Sequence, residues 1–347
     1  MPEFPSLPFV SVIMPVRNEA NYIQRSLEAV LAQNYPSECL QIIIADGMSS
    51  DNTCQIIQSY QEDYPHLALI DNPGKIVPTG LNAAIRHAQG DIIIRVDGHC
   101  EIDNNYIFNC VRHIQTKNAD GVGGSVTTIG ETNLAKAIAT AMSSPFGVGN
   151  SAFRTAKGKT MMADSVPFPA YTRSVFNRAG LYDEELIRNQ DDEYNYRLRK
   201  LGSKILLAAD VHSKYYSRSS LGSLWRQYFQ YGFWKVRVLQ KHPRQMRPRQ
   251  FIPLIFVALL ISTGLLSVFN SAGTYLLALA AGVYLLANLA ASAWTAYKQG
   301  RQYLLLLPMI YAILHISYGL GFLIGLFRFS HRWGDQVGKV PLLPTNS

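Results

Sequence analysis

Three acidic clusters contain the residues best suited to chemistry. They are Asp97–His99, Asp46–Asp51 and Gln190–Arg197. Carboxylates and an imidazole can bind a divalent cation, accept hydrogen bonds from a ligand, or take a proton from a hydroxyl group. The interpretation of each cluster depends on the element that positions it.

Asp97 and His99 follow the predicted strand Asp91–Asp97. A carboxylate just past a strand end can bind a divalent cation directly or through water, and the imidazole of His99 would favour Mn²⁺. Such a cation neutralises a nucleotide diphosphate as it leaves. Loops also contain such triplets by chance, but the position at a strand end favours a metal-ligand role.

Asp46 ends the predicted strand Leu40–Asp46, and Asp51 precedes the predicted helix Asn52–Tyr64. Ser50 or Asp51 would cap that helix by accepting hydrogen bonds from its free backbone N–H groups. Asp46 would accept hydrogen bonds from a nucleobase or ribose. The two interpretations are compatible because they concern different residues.

Asp191, Asp192 and Glu193 lie in the first turn of the predicted helix Asp191–Leu201. The helix dipole favours acids there, and Glu193 with Arg197 forms an i,i+4 pair. These effects account for Glu193 but not for three successive acids. We therefore predict that a carboxylate of this cluster deprotonates an attacking hydroxyl group.

Short β-rich runs alternate with helical stretches in the first half of the chain. The predicted strands are Phe9–Pro15, Leu40–Asp46, Leu67–Asp71, Asp91–Asp97 and Gly121–Thr128, and the helices between them are Glu19–Gln33, Asn52–Tyr64, Thr79–Ala88 and Tyr106–Thr116. This order predicts an α/β fold with a mostly parallel central sheet covered by helices. Ligands bind beyond the carboxyl ends of the strands in such sheets, where the first two clusters lie.

These residues resemble a known family, the family 2 glycosyltransferases with the GT-A fold, and particularly its exopolysaccharide-assembly type. Val12–Glu19 matches the family's opening strand and its N-E pair. Asp46 with Ser49 and Asp51 matches its D-G-x-S-x-D pattern, and Asp97–His99 occupies the place of its D-x-D motif.

The resemblance covers about residues 8–234 and includes the third cluster. The family's E-D-x-[DE]-L-x-x-R helix aligns with Gln190–Arg197. That alignment makes Asp191 the counterpart of the catalytic base, Glu193 the second acid and Arg197 the arginine. The resemblance further implies that the nucleotide sugar contacts Asn18, Glu19, Asp46, Asp51 and Asp97.

Two departures from the family pattern restrict what the resemblance implies. His99 stands at the third D-x-D position, which leaves the choice between Mn²⁺ and Mg²⁺ open. The Q-x-x-R-W motif of processive synthases appears as Gln230–Trp234 without its arginine, which favours addition of a single sugar. The resemblance also implies a set of site residues that either face the acceptor or have other roles in the site: Tyr171, Arg173, Asp192, Glu193, Arg197, Gln230 and Trp234.

Four of the candidate site residues each have two interpretations. Tyr171 and Arg173 either contact the acceptor or form a structural turn. Lys75 and Arg95 either contact phosphates or are solvated surface cations.

The C-terminal part of the chain combines cations with long apolar segments. All but one of the 24 acidic residues precede residue 211, the exception being Asp335. Cations beside apolar runs suit an anionic membrane surface better than nucleic acid, for which no motif is present. We predict a catalytic domain 1–215, a basic aromatic interfacial segment 216–250, transmembrane helices near 251–270, 275–294 and 303–327 within 251–330, and a tail 331–347. The alternative for 216–250 is a helix packed on the catalytic domain.

The charges also predict sidedness. Lys298 and Arg301 follow the second apolar segment and place that link in the cytoplasm by the positive-inside rule. The N-terminus lacks the pattern of a cleaved signal peptide, which favours a cytoplasmic catalytic domain. The third segment contains Pro308 and His315, and it either spans or is broken or re-entrant. If it spans, the basic tail ends outside, against the same rule.

The function that the resemblance implies is inverting transfer of a sugar from a nucleotide-diphosphate sugar, expected to be a UDP-sugar, with a divalent cation as cofactor. The expected acceptor is a polyprenyl-diphosphate-linked saccharide in cell-surface or extracellular polysaccharide synthesis. Membrane lipid and other polysaccharide-assembly proteins are expected partners, nucleic acid is not, and the expected location is the inner (cytoplasmic) membrane. The alternatives are a polyprenyl-phosphate sugar transferase and a non-catalytic nucleotide-sugar-binding membrane protein.

Overall fold

A computed structural model describes residues 7–149 and 158–343 of the chain. The remaining parts of the predicted catalytic domain and tail, residues 1–6, 150–157 and 344–347, lie outside the described residues. The chain divides into two compact units. The first unit comprises Met1–Thr127, Ala156–Tyr215 and Gly338–Ser347, and the second comprises Thr128–Thr155 and Tyr216–Val337. Residues 128–155 therefore group with the C-terminal helices, and the end of the chain groups with the N-terminal sheet.

Nine strands of the described chain form one mixed sheet. They are β1 (Val10–Val16), β2 (Leu40–Asp46), β3 (Leu67–Asp71), β4 (Ile92–Arg95), β5 (Cys100–Ile102), β6 (Gly121–Ile129), β7 (Met161–Met162), β8 (Ala170–Thr172) and β9 (Ile205–Tyr216). The strand order is β3-β2-β1-β4-β8-β6-β9-β5, and β7 pairs with β9. The first four strands in this order are parallel, whereas β8 pairs antiparallel with both of its neighbours.

The parallel half of the sheet forms because its strands are apolar on both faces. Ile42, Ile43 and Ile44 are each 0% exposed, although successive side chains point to opposite faces of the sheet. Both faces are therefore covered, as the sequence predicts for a βαβ arrangement. The predicted α/β fold is confirmed, and the sheet adds short antiparallel strands that sequence periodicity missed.

The parallel register brings the strand ends together. Val16 lies opposite Asp46, and Asp46 lies opposite Asp71. On the other side of β1, Ile13 lies opposite Arg95. The loops after β1, β2 and β4 therefore meet at one edge of the sheet.

Helices connect the strands of the first unit. They are α1 (Ile23–Leu31), α2 (Thr53–Gln61), α3 (Val77–His87), α4 (Tyr106–Lys117), α7 (Arg173–Ala179) and α8 (Gln190–Lys200). In the second unit lie α5 (Asn133–Met142), α6 (Pro145–Val148), α9 (Leu221–Lys241), α10 (Ile252–Ser267), α11 (Ser271–Gln299) and α12 (Leu307–Arg328).

The basic aromatic segment is mostly helix α9, which packs closely on α12. A Cβ atom at Gly232 would lie 2.0 Å from the carbonyl oxygen of Tyr318, and one at Gly321 would lie 2.0 Å from that of Phe229. Glycine at both crossings lets the two helix backbones touch. Three helical stretches of the described chain, Pro248–Ser267, Ser271–Gln299 and Leu307–Arg328, are long and apolar enough to cross a membrane, which indicates that the protein is membrane-associated.

Candidate active site

Two loops at the sheet edge are held together by side chains that the sequence singled out. Asn18 adopts a left-handed conformation with φ of 54°, which asparagine tolerates better than most residues. Its backbone N–H donates to Ser49 Oγ at 2.8 Å, and its Oδ1 accepts from the Ser50 N–H at 2.8 Å. Asn18 therefore joins the loop after β1 to the loop after β2.

Asp51 performs the capping role that the sequence allowed for it. Its Oδ2 accepts from the Ala20 N–H at 3.2 Å, and its Oδ1 accepts from the N–H of Thr53 at 3.1 Å. Desolvation opposes ionisation, but the Thr53 and Ala20 hydrogen bonds lower the pKa of Asp51 below its ordinary value. Asp51 therefore shapes the loop as a stable carboxylate.

Asp46 is buried beneath the same loop, with 4% of its surface exposed. Its Oδ2 accepts from the Ser49 N–H at 2.8 Å, and its Oδ1 accepts from the Ser49 hydroxyl. Both carboxylate oxygens therefore fix the loop, and each keeps capacity to accept a further hydrogen bond.

Arg95, the last residue of β4, connects two of the acidic clusters. Its Nε–H donates to Asp97 Oδ1 at 2.8 Å and its Nη2 to Asp97 Oδ2 at 3.1 Å. Its Nη1 donates to Asp191 Oδ1. Arg95 is buried, with 5% of the residue exposed, and its guanidinium group pairs with the carboxylate predicted to bind metal and with the one predicted to be the base.

Asp191 is recessed but open to solvent on one side. Its side chain is 40% exposed, although protein atoms surround it closely. Desolvation raises its pKa to about 6, with Arg95 opposing this rise and Asp97 and Asp192 adding to it. A carboxyl group with a pKa near neutrality, open on one side, suits a general base.

The pKa of Asp191 predicts a pH dependence. A base is active when deprotonated, so the transfer rate should fall about tenfold per pH unit below about pH 6 and level off above it. Initial rates at saturating donor concentration, measured between about pH 5 and pH 8, give this acidic limb of the pH–rate profile. A rate that stays constant across this range would remove Asp191 as the titrating base.

His99 and Glu19 form a second pair beside this network. His99 Nδ1 lies 2.9 Å from Glu19 Oε1, and because a carboxylate only accepts, Nδ1–H is the donor. In the neutral imidazole this leaves the lone pair on Nε2, the arrangement seen in metal-binding histidines backed by a carboxylate. Glu19 therefore orients His99, a role that no local sequence pattern indicated.

A divalent cation fits the chemistry of these residues. Asp97 offers hard oxygen atoms, and His99 offers an imidazole nitrogen, two residues further along. No group of three or more potential ligands is arranged for a metal ion among the residues described. A cation held by Asp97 and His99 would therefore take its remaining ligands from substrate phosphates and water, as Mg²⁺ commonly does.

Glu193 and Arg197 form a buried pair on the other side of α8. Arg197 donates to both Glu193 oxygens at 3.0 and 2.9 Å and to the carbonyl oxygens of Ala179 and Leu181. The Glu193 side chain is 3% exposed. The pair therefore stabilises the packing of α8, which contains Asp191, against the segment around Ala179 and Leu181.

We expect Arg197→Met to destabilise the fold by about 3–5 kcal/mol, because it leaves the buried Glu193 carboxylate without its partner. Chemical or thermal unfolding of the purified protein measures the loss. Activity per folded molecule should change far less than stability. A strong loss of kcat without a loss of stability would instead give Arg197 a catalytic role.

The other predicted acceptor-side residues lie in different surroundings. Tyr171 is 1% exposed, and its hydroxyl donates to Asn195 Oδ1 at 3.0 Å. Arg173 donates to the carbonyl oxygens of Gly90 at 2.9 Å and Ala88 at 2.6 Å. These contacts favour the structural alternative for both residues.

The remaining predicted site residues are more exposed or belong to the second unit. Asp192 is half-buried at the start of α8, next to Asp191. Gln230 and Trp234 lie on α9, where Trp234 packs against Phe233 and Phe329. Lys75 is exposed. The solvated-cation interpretation of Arg95 is wrong, and its position inside the run Ile92–Val96 was the signal that it is buried.

A sheet edge with two joined loops and a recessed carboxylate agrees with the class of protein that the sequence predicts, a glycosyltransferase domain of the GT-A type. The sequence pattern of the family described as Glycosyl transferase family 2 matches residues 11–183. The succinoglycan biosynthesis protein ExoA of Rhizobium meliloti (strain 1021) is 30% identical over 324 residues, which are 92% of this chain and 96% of that protein. The chain therefore belongs to glycosyltransferase family 2.

Further similarities support the fold and the activity class. A dolichyl N-acetyl-alpha-D-glucosaminyl phosphate 3-beta-D-2,3-diacetamido-2,3-dideoxy-beta-D-glucuronosyltransferase of Methanococcus voltae is 29% identical over 241 residues, which are 67% of this chain and 74% of that enzyme. The mannosyltransferase PcManGT from Pyrobaculum calidifontis, solved with GDP-Man and Mn²⁺, has a TM-score of 0.59 at 19% identity and covers 92% of this chain and 88% of its own. The protein is thus a glycosyltransferase with a GT-A domain.

Proposed function

We propose that the protein transfers one sugar from a nucleotide-diphosphate sugar to a lipid-linked saccharide, with inversion at the anomeric carbon and with Asp191 as the base. The network in which Arg95 contacts both Asp97 and Asp191 carries this proposal. It links the group that would bind the diphosphate side of the donor to the group that would activate the acceptor. Such fixed geometry is what a displacement reaction needs.

Asp191 takes the proton of the acceptor hydroxyl as that oxygen attacks. The raised pKa of about 6 keeps Asp191 ionised at neutral pH and still basic enough to accept the proton. Arg95 keeps the carboxylate aimed by holding one of its oxygens and leaves the other for the acceptor. Arg95 therefore acts as a positioning residue.

Asp97 and His99 would hold Mn²⁺ or Mg²⁺, with Glu19 fixing the imidazole through Nδ1. When bound, the cation supplies positive charge that stabilises the departing nucleotide diphosphate. Asn18, Asp46 and Asp51 shape the loops that would surround the nucleotide, for which a UDP-sugar is the expected donor.

The acceptor is proposed from the membrane helices and from the relatives. Those helices keep the protein at a lipid surface, where a polyprenyl-diphosphate-linked saccharide is reached without leaving the membrane. The names of two relatives refer to succinoglycan biosynthesis and to a dolichyl-linked sugar phosphate. We therefore propose a role in cell-surface or extracellular polysaccharide synthesis, with the catalytic domain at the cytoplasmic face of the inner membrane and other assembly proteins as partners.

Nucleotide diphosphate release tests this function. The purified protein is incubated with a panel of UDP- and GDP-sugars, Mn²⁺ and a membrane lipid extract. Release from one donor only when the lipid extract is present is expected. If the product is a charged, acid-labile sugar phosphate lipid, the polyprenyl-phosphate alternative replaces the proposal. Donor binding without release, with competent acceptors present, would favour the non-catalytic alternative.

A further inference from the structure

The number of membrane crossings can be derived from the path of the chain. Helices α10, α11 and α12 are each apolar and long enough to cross. The chain leaves the first unit after Tyr215 and returns to it at Gly338. If the chain crosses the membrane an even number of times between these two points, the three helices cannot all span it.

The end of the chain is bonded into the same unit as the catalytic sheet. The Lys339 N–H donates to Asp183 Oδ1 at 2.8 Å, and the Lys339 carbonyl oxygen accepts from the Glu184 N–H at 2.9 Å. The Leu181 N–H donates to the Pro341 carbonyl oxygen at 2.9 Å. This segment must lie on the same side of the membrane as residues 181–184, so the chain crosses an even number of times.

Helix α12 is the one that differs from the other two. In its most apolar window 44% of the residues are buried by protein, against 11% in each of the other two helices. Its inner residues contact the segment between β6 and β7: Tyr311 shares a hydrogen bond of 2.8 Å with Ser144, and His315 Nε2 lies 2.9 Å from the Phe146 carbonyl oxygen. That segment has no apolar run long enough to span, because Glu131 and Lys136 and several polar residues interrupt it.

The hairpin of α10 and α11 has an antiparallel register that can be read from one contact. Phe256 stacks on Tyr284 with ring centroids 4.2 Å apart, so these two residues lie at the same level. The turn at Asn270 is far from this level. Near the turn, Val268, Phe269 and Tyr275 are each at least 75% exposed.

Helix α12 runs across this hairpin instead of along it. Its Pro308 carbonyl oxygen accepts from Asn288 at 3.0 Å, and His315 lies 3.0 Å from the Tyr284 hydroxyl. Further on, Phe322 packs against Phe251 with ring centroids 5.8 Å apart. From Pro308 to Phe322 the helix advances by about 21 Å at ~1.5 Å per residue, but their partners Asn288 and Phe251 both lie about 6–8 Å from the Phe256–Tyr284 level, toward the open end of the hairpin. Between them, Tyr311 shares a hydrogen bond with Thr295, which lies nearer to that end.

The cations agree with this path. The cations lie before α10, around the end of α11, and from the end of α12 onward. The turn Asn270–Gly273, which joins α10 to α11, has no charge. With only the hairpin inserted, all of these cations face one side, as the positive-inside rule favours. They are Arg244, Arg247, Arg249, Lys298, Arg301, Arg328, Arg332 and Lys339.

We infer that α12 lies along the membrane surface on the side of the first unit, and that only the α10–α11 hairpin enters the bilayer core. The exposed side of α12, which includes Met309, Ile324 and Phe327, contacts acyl chains near the surface. The exposed Arg328 at the end of α12 meets anionic phospholipid headgroups, and Arg332, which pairs with Asp335, lies just beyond it in the chain. The apolar third helix is thus a lipid-binding surface and not a span.

Spin-label depth in lipid nanodiscs containing anionic phospholipid tests this placement. Met309→Cys and Ile324→Cys lie on one exposed side of α12, 44% and 46% exposed. Nitroxides at the two sites should differ in depth by only a few ångströms, on the order of one helix turn. The signal of the unsubstituted chain, which has four native cysteines, is subtracted.

The control pair is Leu279→Cys and Trp294→Cys on α11, with the same spacing and with 63% and 61% exposure. These labels should differ in depth by about 20 Å because α11 crosses the bilayer core. A similar difference for the α12 pair would overturn the inference.

Labelling by a membrane-impermeant maleimide gives an independent test. Val337→Cys is 78% exposed and should be labelled from the same side as Lys200→Cys in the first unit. Labelling from the opposite side would show an odd number of crossings and would also overturn the inference. Neither test uses the sugar-transfer reaction, so failure here leaves the proposed function standing.

Discussion

Replacing Asp191 by asparagine is expected to lower the rate of nucleotide diphosphate release by about 10²–10⁴-fold, the usual contribution of a general base. The substitution keeps the shape of the side chain but removes its ability to take the acceptor proton. Donor affinity should change little, since the Asp191 side chain is hydrogen-bonded to Arg95, whereas Asn18, Asp46 and Asp51 hold the loops that would surround the nucleotide. Initial rates with saturating donor and acceptor, beside donor binding by calorimetry, measure the two effects separately.

Asp192→Asn is the matched control. It removes a carboxylate of the same type from the adjacent position of the same helix turn and leaves the contact between Arg95 and Asp191 in place. We expect a reduction of severalfold at most, on the scale of a surface charge near the site. Equal losses in the two variants would mean that the charge of the cluster, and not the base at position 191, supports the reaction.

Replacing Arg95 by methionine is expected to reduce kcat at least about 100-fold, because misplaced catalytic groups cost about that much. The variant removes the shared partner of Asp97 and Asp191. Because Arg95 lowers the pKa of Asp191, its removal raises that pKa, and the acidic limb of the pH profile should move to higher pH. Arg95→Lys keeps the positive charge, so the acidic limb of the pH profile should move less than in Arg95→Met. It loses the planar guanidinium group that contacts both carboxylates, so kcat should stay reduced.

Arg112→Met provides the control for Arg95. Arg112 pairs with Asp210 elsewhere in the first unit, and its side chain is 37% exposed. The Arg112→Met variant should keep kcat and the acidic limb of the pH profile close to those of the unsubstituted protein. If Arg95→Met keeps normal kcat and an unshifted limb at a pH where it is folded, the positioning role is refuted.

The parallel half of the sheet could be predicted from the sequence because its strands are buried on both faces. Runs such as Ile42–Ile44 and Ile92–Ile94 are short and β-branched and are bounded by turn residues, which is typical of strands buried on both faces. The strands Cys100–Ile102, Met161–Met162 and Ala170–Thr172 could not be predicted. They have two or three residues, too few to show a period, and only their partner strands hold them in place.

The acidic clusters were found by residue type and position, but their partners were not. No local pattern shows that Glu19 would orient His99, because 80 residues separate them in the chain. Arg95 and Asp191 are 96 residues apart in the chain. They meet only because the end of β4 and the beginning of α8 lie at the same edge of the sheet. The roles of Asp97, His99 and Asp191 remain predictions.

The membrane part shows the limit of hydropathy. Composition alone makes α12 equivalent to the two hairpin helices, since all three are long and apolar. What distinguishes it is tertiary: Gly232 and Gly321 allow α9 to pack against it, and Ser144 and Phe146 contact its inner side. A sequence window cannot contain such contacts, although the charges of the tail already conflicted with a third crossing.

Transfer of labelled sugar into the lipid fraction tests the central claim most directly. The unsubstituted protein, Asp192→Asn and Asp191→Asn are compared with the donor identified by the release assay, Mn²⁺ and membrane lipid extract. We predict incorporation by the first two proteins and a loss of about 10²-fold or more in the third, with donor binding retained. Undiminished incorporation by Asp191→Asn would contradict the account.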